Sequence, residues 1–367
     1  MRATFRLLGV CKLSIALLLT GAPVWGEELG DPLPNWNDTP NRALVLDFVA
    51  RVTQPGPDFV EPAERIAVFD LDGTLICERP NYLTTLLSHA MLRERLAADP
   101  SLAERPVYRA LIEEDATFLR RNFRDVHLEA FAGLSHEEMH AFILEYINSE
   151  RHPVFGLLHR EMVYVPMVEL VRYLEQHQFE VYVVSASMQE FVRAIGEPML
   201  GIPPQRVIGS AVAFDIERRD GKIRSVRRQE WFEPYNLREG KSIRILERIG
   251  RRPIFAFGNG NGDIDMLRLA ALNPLPSLAL VLNHDDDERG MFDRKPYLLR
   301  VAEGQGWPII GVREDFRVVY PGNPQKIREE EESAELDEAA SLPQAEAGGG
   351  FALSDSQLGP CRLKAGL

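Results

Sequence analysis

Two carboxylates separated by a single residue are the feature of this sequence with the clearest chemistry. Asp70 and Asp72 lie in the segment Asp-Leu-Asp-Gly-Thr, directly after the apolar run 66–69. Asp70 could attack a phosphorus atom and form an aspartyl-phosphate. Asp72 could protonate the leaving oxygen and then activate water, and crowding of the two carboxylates would raise the pKa of one of them. Asp and Gly also favour ordinary turns, but their position after a buried strand favours the catalytic interpretation.

Candidate phosphate-binding residues follow this motif and recur further along the chain. Gly73 lets the backbone turn, and free amides there could hold phosphate oxygens, so we place Gly73 and Thr74 in the predicted phosphate site. Ser185 and Ala186 follow the apolar run 181–184. The Ser185 hydroxyl could bind a phosphoryl oxygen, although a serine in such a place often only caps a helix or turn.

A lysine and a glycine-rich loop complete the series. Lys241 opens a predicted helix after Gly240, and it could neutralise both a phosphate and Asp70. Most lysines are solvated, so only its place in the series favours this role. The loop 258–263 reads Gly-Asn-Gly-Asn-Gly-Asp and follows an apolar strand.

Magnesium prefers hard oxygen ligands and usually keeps several waters. Asp70, the backbone carbonyl of Asp72 and an oxygen from Asn259 or Asp263 would supply such a set, which predicts a Mg²⁺ cofactor. A turn capped by an acidic residue is the alternative, but this loop has more glycines than one turn requires.

The elements that must position these residues alternate between strands and helices. Predicted strands cover 66–69, 181–184, 254–257 and 278–282. Such alternation predicts an α/β fold with a Rossmann-like, doubly wound parallel sheet. The region 212–226 is predicted to form a hairpin that turns at Asp220 and Gly221.

The remaining segments suggest the domain organisation. The stretch 82–160 has helical periodicity and predicts a helical cap inserted after the first strand. The predicted units are a signal peptide (1–26), a lead-in with one short helix near 43–51 (27–60), a core (61–80 and 161–324), a cap (81–160) and a disordered acidic tail (325–367).

The start of the chain and its charge bear on location and partners. Residues 1–26 combine a basic start, a short apolar run and small residues before Glu27, which predicts a signal peptide and a periplasmic or secreted protein. An amphipathic first helix is the alternative. Lys and Arg number 42 against 55 Asp and Glu, a net charge of −13. This charge disfavours nucleic acid and anionic membranes as partners, so a phosphate site must supply its own positive charge. Three cysteines form neither a metal-binding spacing nor a disulfide framework.

The four motifs, taken in this order, resemble those of the haloacid-dehalogenase-like superfamily, and most closely its phosphoserine-phosphatase-like branch in exported bacterial form. The resemblance covers about residues 66–321. It implies that Asp70 is the nucleophile and Asp72 the acid and base. It also implies that Ser185 and Lys241 bind phosphate, that the last loop holds magnesium, and that a helical cap lies between the first two motifs.

Three positions leave questions open. Asn259 stands where this superfamily commonly has Asp, so metal binding should weaken unless Asp263 compensates. Glu78 lies near the place where phosphoserine phosphatases bind the substrate amine, but its offset differs by one, and a solvated loop residue is an equal alternative. The segment 284–287 begins with His284 and continues with three Asp residues. Its composition favours solvated surface side chains over a direct role in the active site.

These observations favour a magnesium-dependent phosphomonoesterase that acts on a small metabolite resembling phosphoserine or phosphocholine. A dehalogenase on the same fold is an alternative, but carbon–halogen cleavage has no leaving oxygen for Asp72 to protonate. A binding protein with a weakened site is a second alternative, motivated by Asn259. The sequence does not specify an oligomeric state.

Overall fold

The structure, a computed structural model, describes residues 30–219 and 221–327. The predicted signal peptide and most of the predicted tail therefore lie outside the described residues, as does Asp220. Strands in this part of the chain are β1 (Ile66–Phe69), β2 (Glu180–Met188), β3 (Val207–Ser210), β4 (Val212–Arg219), β5 (Lys222–Trp231), β6 (Phe255–Gly258), β7 (Leu278–Asn283) and β8 (Ile309–Gly311). Six of them form one parallel sheet in the order β3-β2-β1-β6-β7-β8, and β4 and β5 form an antiparallel pair.

Helices connect most of these strands, although β3, β4 and β5 follow one another without a helix between them. The helices are α1 (Pro40–Thr53), α2 (Leu83–Ala98), α3 (Pro106–Ile112), α4 (Ala116–Arg121), α5 (Phe123–Phe131), α6 (His136–Ser149), α7 (Val165–Gln176), α8 (Gln189–Ile195), α9 (Glu239–Ile249), α10 (Ile264–Ala271), α11 (Pro296–Gln305) and α12 (Val312–Asp315). None of the described helices combines the length and the apolar content needed to cross a bilayer.

The sheet confirms the predicted α/β class. β1 lies at its centre, where Ala67 pairs with Val181 on one side and with Phe255 on the other. All four residues of β1 are buried. This explains why the strand reads as a continuous apolar run, since parallel strands covered on both faces have no solvent side.

The structure contains two strands that were not predicted, and it lengthens β2 and the hairpin. β3 and β8 were not predicted, because each contains only two consecutive apolar residues before a glycine. β2 runs to Met188, so Ser185 lies within this strand rather than after it. The hairpin is present and continues to Trp231.

Helices α2 to α6, which we call the cap, lie between β1 and β2 in sequence. The cap contacts the hairpin through backbone hydrogen bonds, since Gly133 N–H donates to Arg227 O at 3.1 Å and Arg227 N–H donates to Leu134 O at 3.0 Å. A capping box at Ser135 and Glu138 begins α6 beside this contact. The proposed cap boundaries of 81–160 stay a prediction.

The segment before β1 packs into the core instead of standing apart. Leu33 and Trp36 are buried, and the Trp36 indole N–H donates to Pro166 O at 2.9 Å. Helix α1 contributes Val45 and Phe48 to the same apolar cluster as β1. The predicted short helix near 43–51 is thus present and longer.

Candidate active site

The carboxyl end of β1 carries both carboxylates of the first motif. The Asp70 N–H donates to Phe257 O at 2.9 Å, which continues the pairing of β1 with β6 by one residue. Asp70 and Asp72 are only 7% and 8% exposed. Ligands of open α/β sheets bind at this edge.

Lys241 lies between two acidic side chains, one directly after β1 and the other in the loop after β6. Its Nζ is 2.5 Å from Asp70 Oδ1 and 2.6 Å from Asp263 Oδ1, and the lysine is 2% exposed. Burial alone would lower the pKa of Lys241, but the Asp263 and Asp70 carboxylates more than offset this and raise it above its ordinary value. The lysine therefore stays charged and fixes Asp70 against the last loop.

Gly240 explains how α9 brings Lys241 this close. A Cβ at Gly240 would lie 1.9 Å from the Tyr235 carbonyl oxygen. Only glycine permits this approach, which places the first turn of α9 and its lysine against the sheet edge.

Asp72 points toward the end of β2. Its Oδ2 accepts hydrogen bonds from the Ser187 hydroxyl at 2.7 Å and from the Ser185 hydroxyl at 3.3 Å. Its Oδ1 is buried and has no partner among the described residues. Burial raises the pKa of Asp72, and the two hydroxyls only partly offset this. A carboxyl in this environment retains its proton closer to neutral pH and keeps one oxygen available.

The serine-bearing end of β2 is held by a residue that the sequence analysis missed. The Asn236 side-chain amide donates to Ser185 O at 2.7 Å and to Ile208 O at 2.8 Å, and Asn236 is fully buried. The Ser210 hydroxyl donates to Ala186 O at 2.7 Å. Ser187 was also missed, although its spacing of two from Ser185 was a signal for a second hydroxyl at this edge.

The turn after Asp72 differs from the expectation of free amides. Gly73 N–H donates to Ile76 O at 2.8 Å, and Thr74 N–H donates to Leu71 O at 3.1 Å. These amides are therefore already engaged within the turn. The Gly73 φ of +80° and the 2.1 Å between its ideal Cβ and Asn259 Nδ2 explain the need for glycine here.

The last loop joins the first motif through Asn259. Its Oδ1 accepts from the Thr74 hydroxyl at 3.0 Å, and its Nδ2 donates to Glu78 Oε1 at 3.0 Å. Asp263 is more fully engaged, because its Oδ1 binds Lys241 and its Oδ2 accepts from Asn259 N–H and Gly260 N–H.

The donor set at this edge is compatible with a hard cation. In the described residues, no three His, Cys, Asp or Glu side chains are grouped so that they alone could hold a metal. A metal here would therefore use amide or backbone oxygens together with a carboxylate. Asp70 and Asn259 offer such oxygens, and Mg²⁺ accepts few protein ligands because it keeps waters.

Glu78 is buried at the rim of the site rather than solvated. It is 4% exposed, and burial raises its pKa to about 7. Lys295 Nζ lies 3.6 Å from its Oε1 and also binds Asp293 at 2.7 Å.

The acidic run that begins at His284 has a structural role. The His284 ring is buried, and its Nε2–H donates to Gly73 O at 2.6 Å. Asp286 is buried and pairs with Arg289 at 2.7 Å. The favoured interpretation as a solvated charge run is therefore wrong for these two residues.

Comparisons with known proteins agree with the fold. A family model described as haloacid dehalogenase-like hydrolase matches residues 67–268. No curated protein sequence matches the chain. A functionally unknown protein from Anaerococcus prevotii DSM 20548 is 17% identical with a TM-score of 0.50, and the match covers 75% of this chain and 92% of that one. A protein of unknown function from Bordetella pertussis Tohama I is 20% identical with a TM-score of 0.44, covering 67% and 98%. A probable phosphoserine phosphatase from Vibrio cholerae is 14% identical with a TM-score of 0.36, covering 72% and 64%.

Proposed function

This chain belongs to the haloacid dehalogenase-like hydrolase family, and on that premise we propose that it is a magnesium-dependent phosphomonoesterase of the phosphoserine-phosphatase-like type. One observation carries the proposal. Asp70, Lys241 and Asp263 form a buried charged triad beside Asp72, whose Oδ1 is buried without a partner among the described residues. This arrangement offers a nucleophile, a fixed positive charge and a proton donor at one sheet edge.

Phosphoryl transfer to the enzyme is the first proposed step. Lys241 holds Asp70 Oδ1, which leaves the other carboxylate oxygen to attack the phosphorus. As the new bond forms, the bond from phosphorus to the substrate oxygen breaks. Asp72 gives its proton to that oxygen, and Asp70 is left as an aspartyl-phosphate.

Hydrolysis of the aspartyl-phosphate is the second proposed step. Asp72, now a carboxylate, takes a proton from a water molecule that attacks the phosphorus. The bond to Asp70 breaks, inorganic phosphate leaves, and both acids return to their first state. The hydroxyl of Ser187 keeps Asp72 in place through both steps.

Phosphate binding is proposed for Lys241, Ser185 and the backbone around Ala186, with Gly73 and Thr74 shaping the turn. Lys241 is the only one of these side chains that carries a charge, and it lies at the nucleophile. The Thr74 hydroxyl is bound to Asn259, so we propose that Thr74 supports the loop rather than the phosphate directly.

Magnesium is proposed to bind Asp70, the Asp72 backbone carbonyl and Asn259. When bound, Mg²⁺ would supply positive charge that stabilises the charge of the phosphoryl group. We propose Asn259 rather than Asp263 as the ligand from the loop. Asp263 Oδ1 is ion-paired with Lys241 and its Oδ2 accepts two backbone N–H groups, whereas Asn259 Oδ1 accepts only one hydrogen bond among the described residues, from the Thr74 hydroxyl. In this proposal the amide oxygen of Asn259 takes the place of the carboxylate that the family commonly has at this position.

The first prediction is that the purified protein releases inorganic phosphate from 4-nitrophenyl phosphate and from small alkyl phosphomonoesters in the presence of Mg²⁺. EDTA should stop the release, and excess Mg²⁺ should restore it. Chloroacetate offered in place of the phosphoesters should yield no chloride. Chloride release without phosphate release would favour the dehalogenase, and no turnover of any substrate would favour the binding protein.

The second prediction concerns the missing acid at position 259. Asn259→Asp would place a carboxylate against Glu78 Oε1, which now accepts from Asn259 Nδ2 at 3.0 Å in a buried environment. At pH 8, above the pKa of about 7 that burial gives Glu78, both groups would be charged. Like charges at this distance repel, so we expect the melting temperature in EDTA at this pH to fall by about 2–5 °C. Mg²⁺ should raise the melting temperature more in this variant than in the wild type, because it would neutralise the added charge.

The double variant Asn259→Asp with Glu78→Gln is the matched control, since the Gln amide can donate to the new carboxylate. It should regain most of the lost stability in EDTA. A single variant that melts at the wild-type temperature, with the same response to Mg²⁺, would contradict both the contact and the proposed ligand.

We also propose that the protein acts outside the cytoplasm. The support is the N-terminal sequence alone, and residues 1–26 lie outside the described residues.

A further inference from the structure

Strand β2 leaves its regular pairing with β3 near its carboxyl end. Val184 pairs with Ile208, and the next pair joins Met188 to Ser210. Three residues of β2, which we call the β2 bulge (185–187), therefore lie opposite a single residue of β3. Extra residues on one strand interrupt the ladder of backbone hydrogen bonds and change the direction of the side chains. The bulge coincides with the serines of the candidate active site.

The Asn236 side chain spans the β2 bulge. Its Nδ2 donates to Ser185 O on β2 at 2.7 Å and to Ile208 O on β3 at 2.8 Å. Asn236 is fully buried and both acceptors are carbonyl oxygens, so the position requires a group with two N–H donors. The Ser210 hydroxyl adds a third bond, to Ala186 O at 2.7 Å. These side chains fix the path of β2 where its backbone pairing is interrupted.

The shape of the β2 bulge determines where the Ser187 hydroxyl lies. Alternate residues of an extended strand face the same side, and the hydroxyls of Ser185 and Ser187 both donate to Asp72 Oδ2. The Ser187 N–H also donates to Ser185 Oγ at 3.0 Å, which joins the two serines. A shift of the Ser185 carbonyl would therefore move Ser187 Oγ relative to Asp72 Oδ2, which lies 2.7 Å from it.

The loop that carries Asn236 has a separate attachment close to Lys241. The Arg238 N–H donates to Gly262 O at 3.1 Å, and Lys241 is itself paired with two carboxylates. Loss of the Asn236 amide should therefore act on the β2 bulge rather than on the lysine.

We propose that Asn236 is a positioning residue for proton transfer by Asp72. It acts through β2: its amide holds the bulge, and the bulge places the Ser187 hydroxyl that orients the Asp72 carboxyl. This inference rests on the proposed phosphomonoesterase function and extends it to the loop before α9. Misplacement of an acid by about 1 Å is costly, and the cost falls on substrates whose leaving oxygen needs a proton.

The dependence of the rate on the leaving group tests this role. Asn236→Ala should lower kcat/KM by about 10- to 100-fold for an alkyl phosphomonoester, but by less than about threefold for 4-nitrophenyl phosphate, whose leaving group needs little protonation. With both substrates kcat/KM reports the steps up to phosphoryl transfer. A variant that merely folded less well would lose activity on both substrates equally, so the ratio of the two values would not change. Thermal unfolding of the same samples measures stability separately.

The chain offers a matched control and a second variant. Asn273 Nδ2 also donates to two carbonyl oxygens, Arg252 O at 3.0 Å and Pro253 O at 3.1 Å, at the opposite end of β6 from the last loop. Asn273→Ala should therefore lower stability without changing the ratio. If Asn236→Ala does not fold, Ser210→Ala takes its place, because it removes the other side-chain bond to the bulge, and it should change the ratio in the same direction.

A double-mutant cycle with Ser187→Ala tests the route of the effect. Ser187→Ala should lower the same ratio, and the double variant should lie within about threefold of the less active single variant, because both changes act on one hydrogen bond to Asp72. Fold-changes that multiply would overturn the positioning role. An unchanged ratio in Asn236→Ala, or in Ser210→Ala where it takes its place, would also overturn it. An inactive wild type would instead overturn the proposed function, and the positioning role with it.

Discussion

Replacing Asp70 by asparagine is expected to reduce phosphate release by about 10⁴-fold or more. The amide oxygen is a poor nucleophile, and removal of a group that forms the covalent intermediate typically has an effect of this size or larger. The substitution keeps the side-chain shape, and Lys241 retains its contact with Asp263 at 2.6 Å. Steady-state phosphate release with Mg²⁺, together with thermal unfolding of the same sample, measures the effect on activity and confirms that the variant folds.

A neighbouring acid provides the control for this loss. Asp265 lies near the same sheet edge, but its side chain is 40% exposed, and among the described residues its carboxylate pairs only with Arg268, at 3.4 Å. Asp265→Asn should keep nearly full activity. If Asp70→Asn retained more than a small percentage of the wild-type rate, another group would have to be the nucleophile, and the two-step mechanism would be wrong.

The centre of the sheet and its motif were predictable because they depend on local sequence. A run of apolar residues that ends in Asp70 predicts both a buried strand and the place of the carboxylate, since parallel strands present their carboxyl ends at one edge. Lys241 was predictable only from its order along the chain. A glycine before a lysine is common, and the approach of Gly240 to Tyr235 O depends on the path of the loop between β5 and α9, which residue types alone do not reveal.

The edges of the sheet could not be predicted in the same way. β3 and β8 lack a long apolar run such as that of β1, and their pairing is decided by the neighbouring strands β2 and β7. His284 shows the same limit, because its burial depends on the Gly73 carbonyl more than two hundred residues earlier in the chain. A run of acidic residues next to it favours solvent on composition alone.

The positions of the polar partners were the least predictable part of the site and its surroundings. Asn236 lies in a loop with ordinary turn composition, yet its amide holds carbonyls from both β2 and β3. Arg227 lies in a strand of mostly exposed charges, and its burial follows only from the packing of the cap on the hairpin. Hydrogen-bond partners distant in sequence leave no local pattern, whereas apolar periodicity does.

Replacing Asp72 by asparagine should separate the two chemical steps. Asparagine can still accept a hydrogen bond from Ser187, but it can neither give a proton to the leaving oxygen nor take one from water. With 4-nitrophenyl phosphate the leaving group needs little protonation, so the first step should continue while the second step stalls. We expect a burst of about one nitrophenol per enzyme followed by a steady rate lower by roughly 10²- to 10⁴-fold. Rapid-quench kinetics and the mass of the intact protein, which should gain one phosphoryl group, measure this outcome.

Substrates with poor leaving groups test whether Asp72 also acts as the acid in the first step. An alkyl phosphomonoester needs the proton from Asp72 in the first step, so the variant should show neither a burst nor a phosphorylated protein with it. Ser187→Ala removes the shorter of the two hydrogen bonds to Asp72 but keeps the carboxylate, so it should lower turnover without accumulating phosphoenzyme. If Asp72→Asn kept the wild-type steady-state rate with both substrate classes, Asp72 would have no part in proton transfer. The position of Asp72 two residues after Asp70 would then have only a structural role at the end of β1.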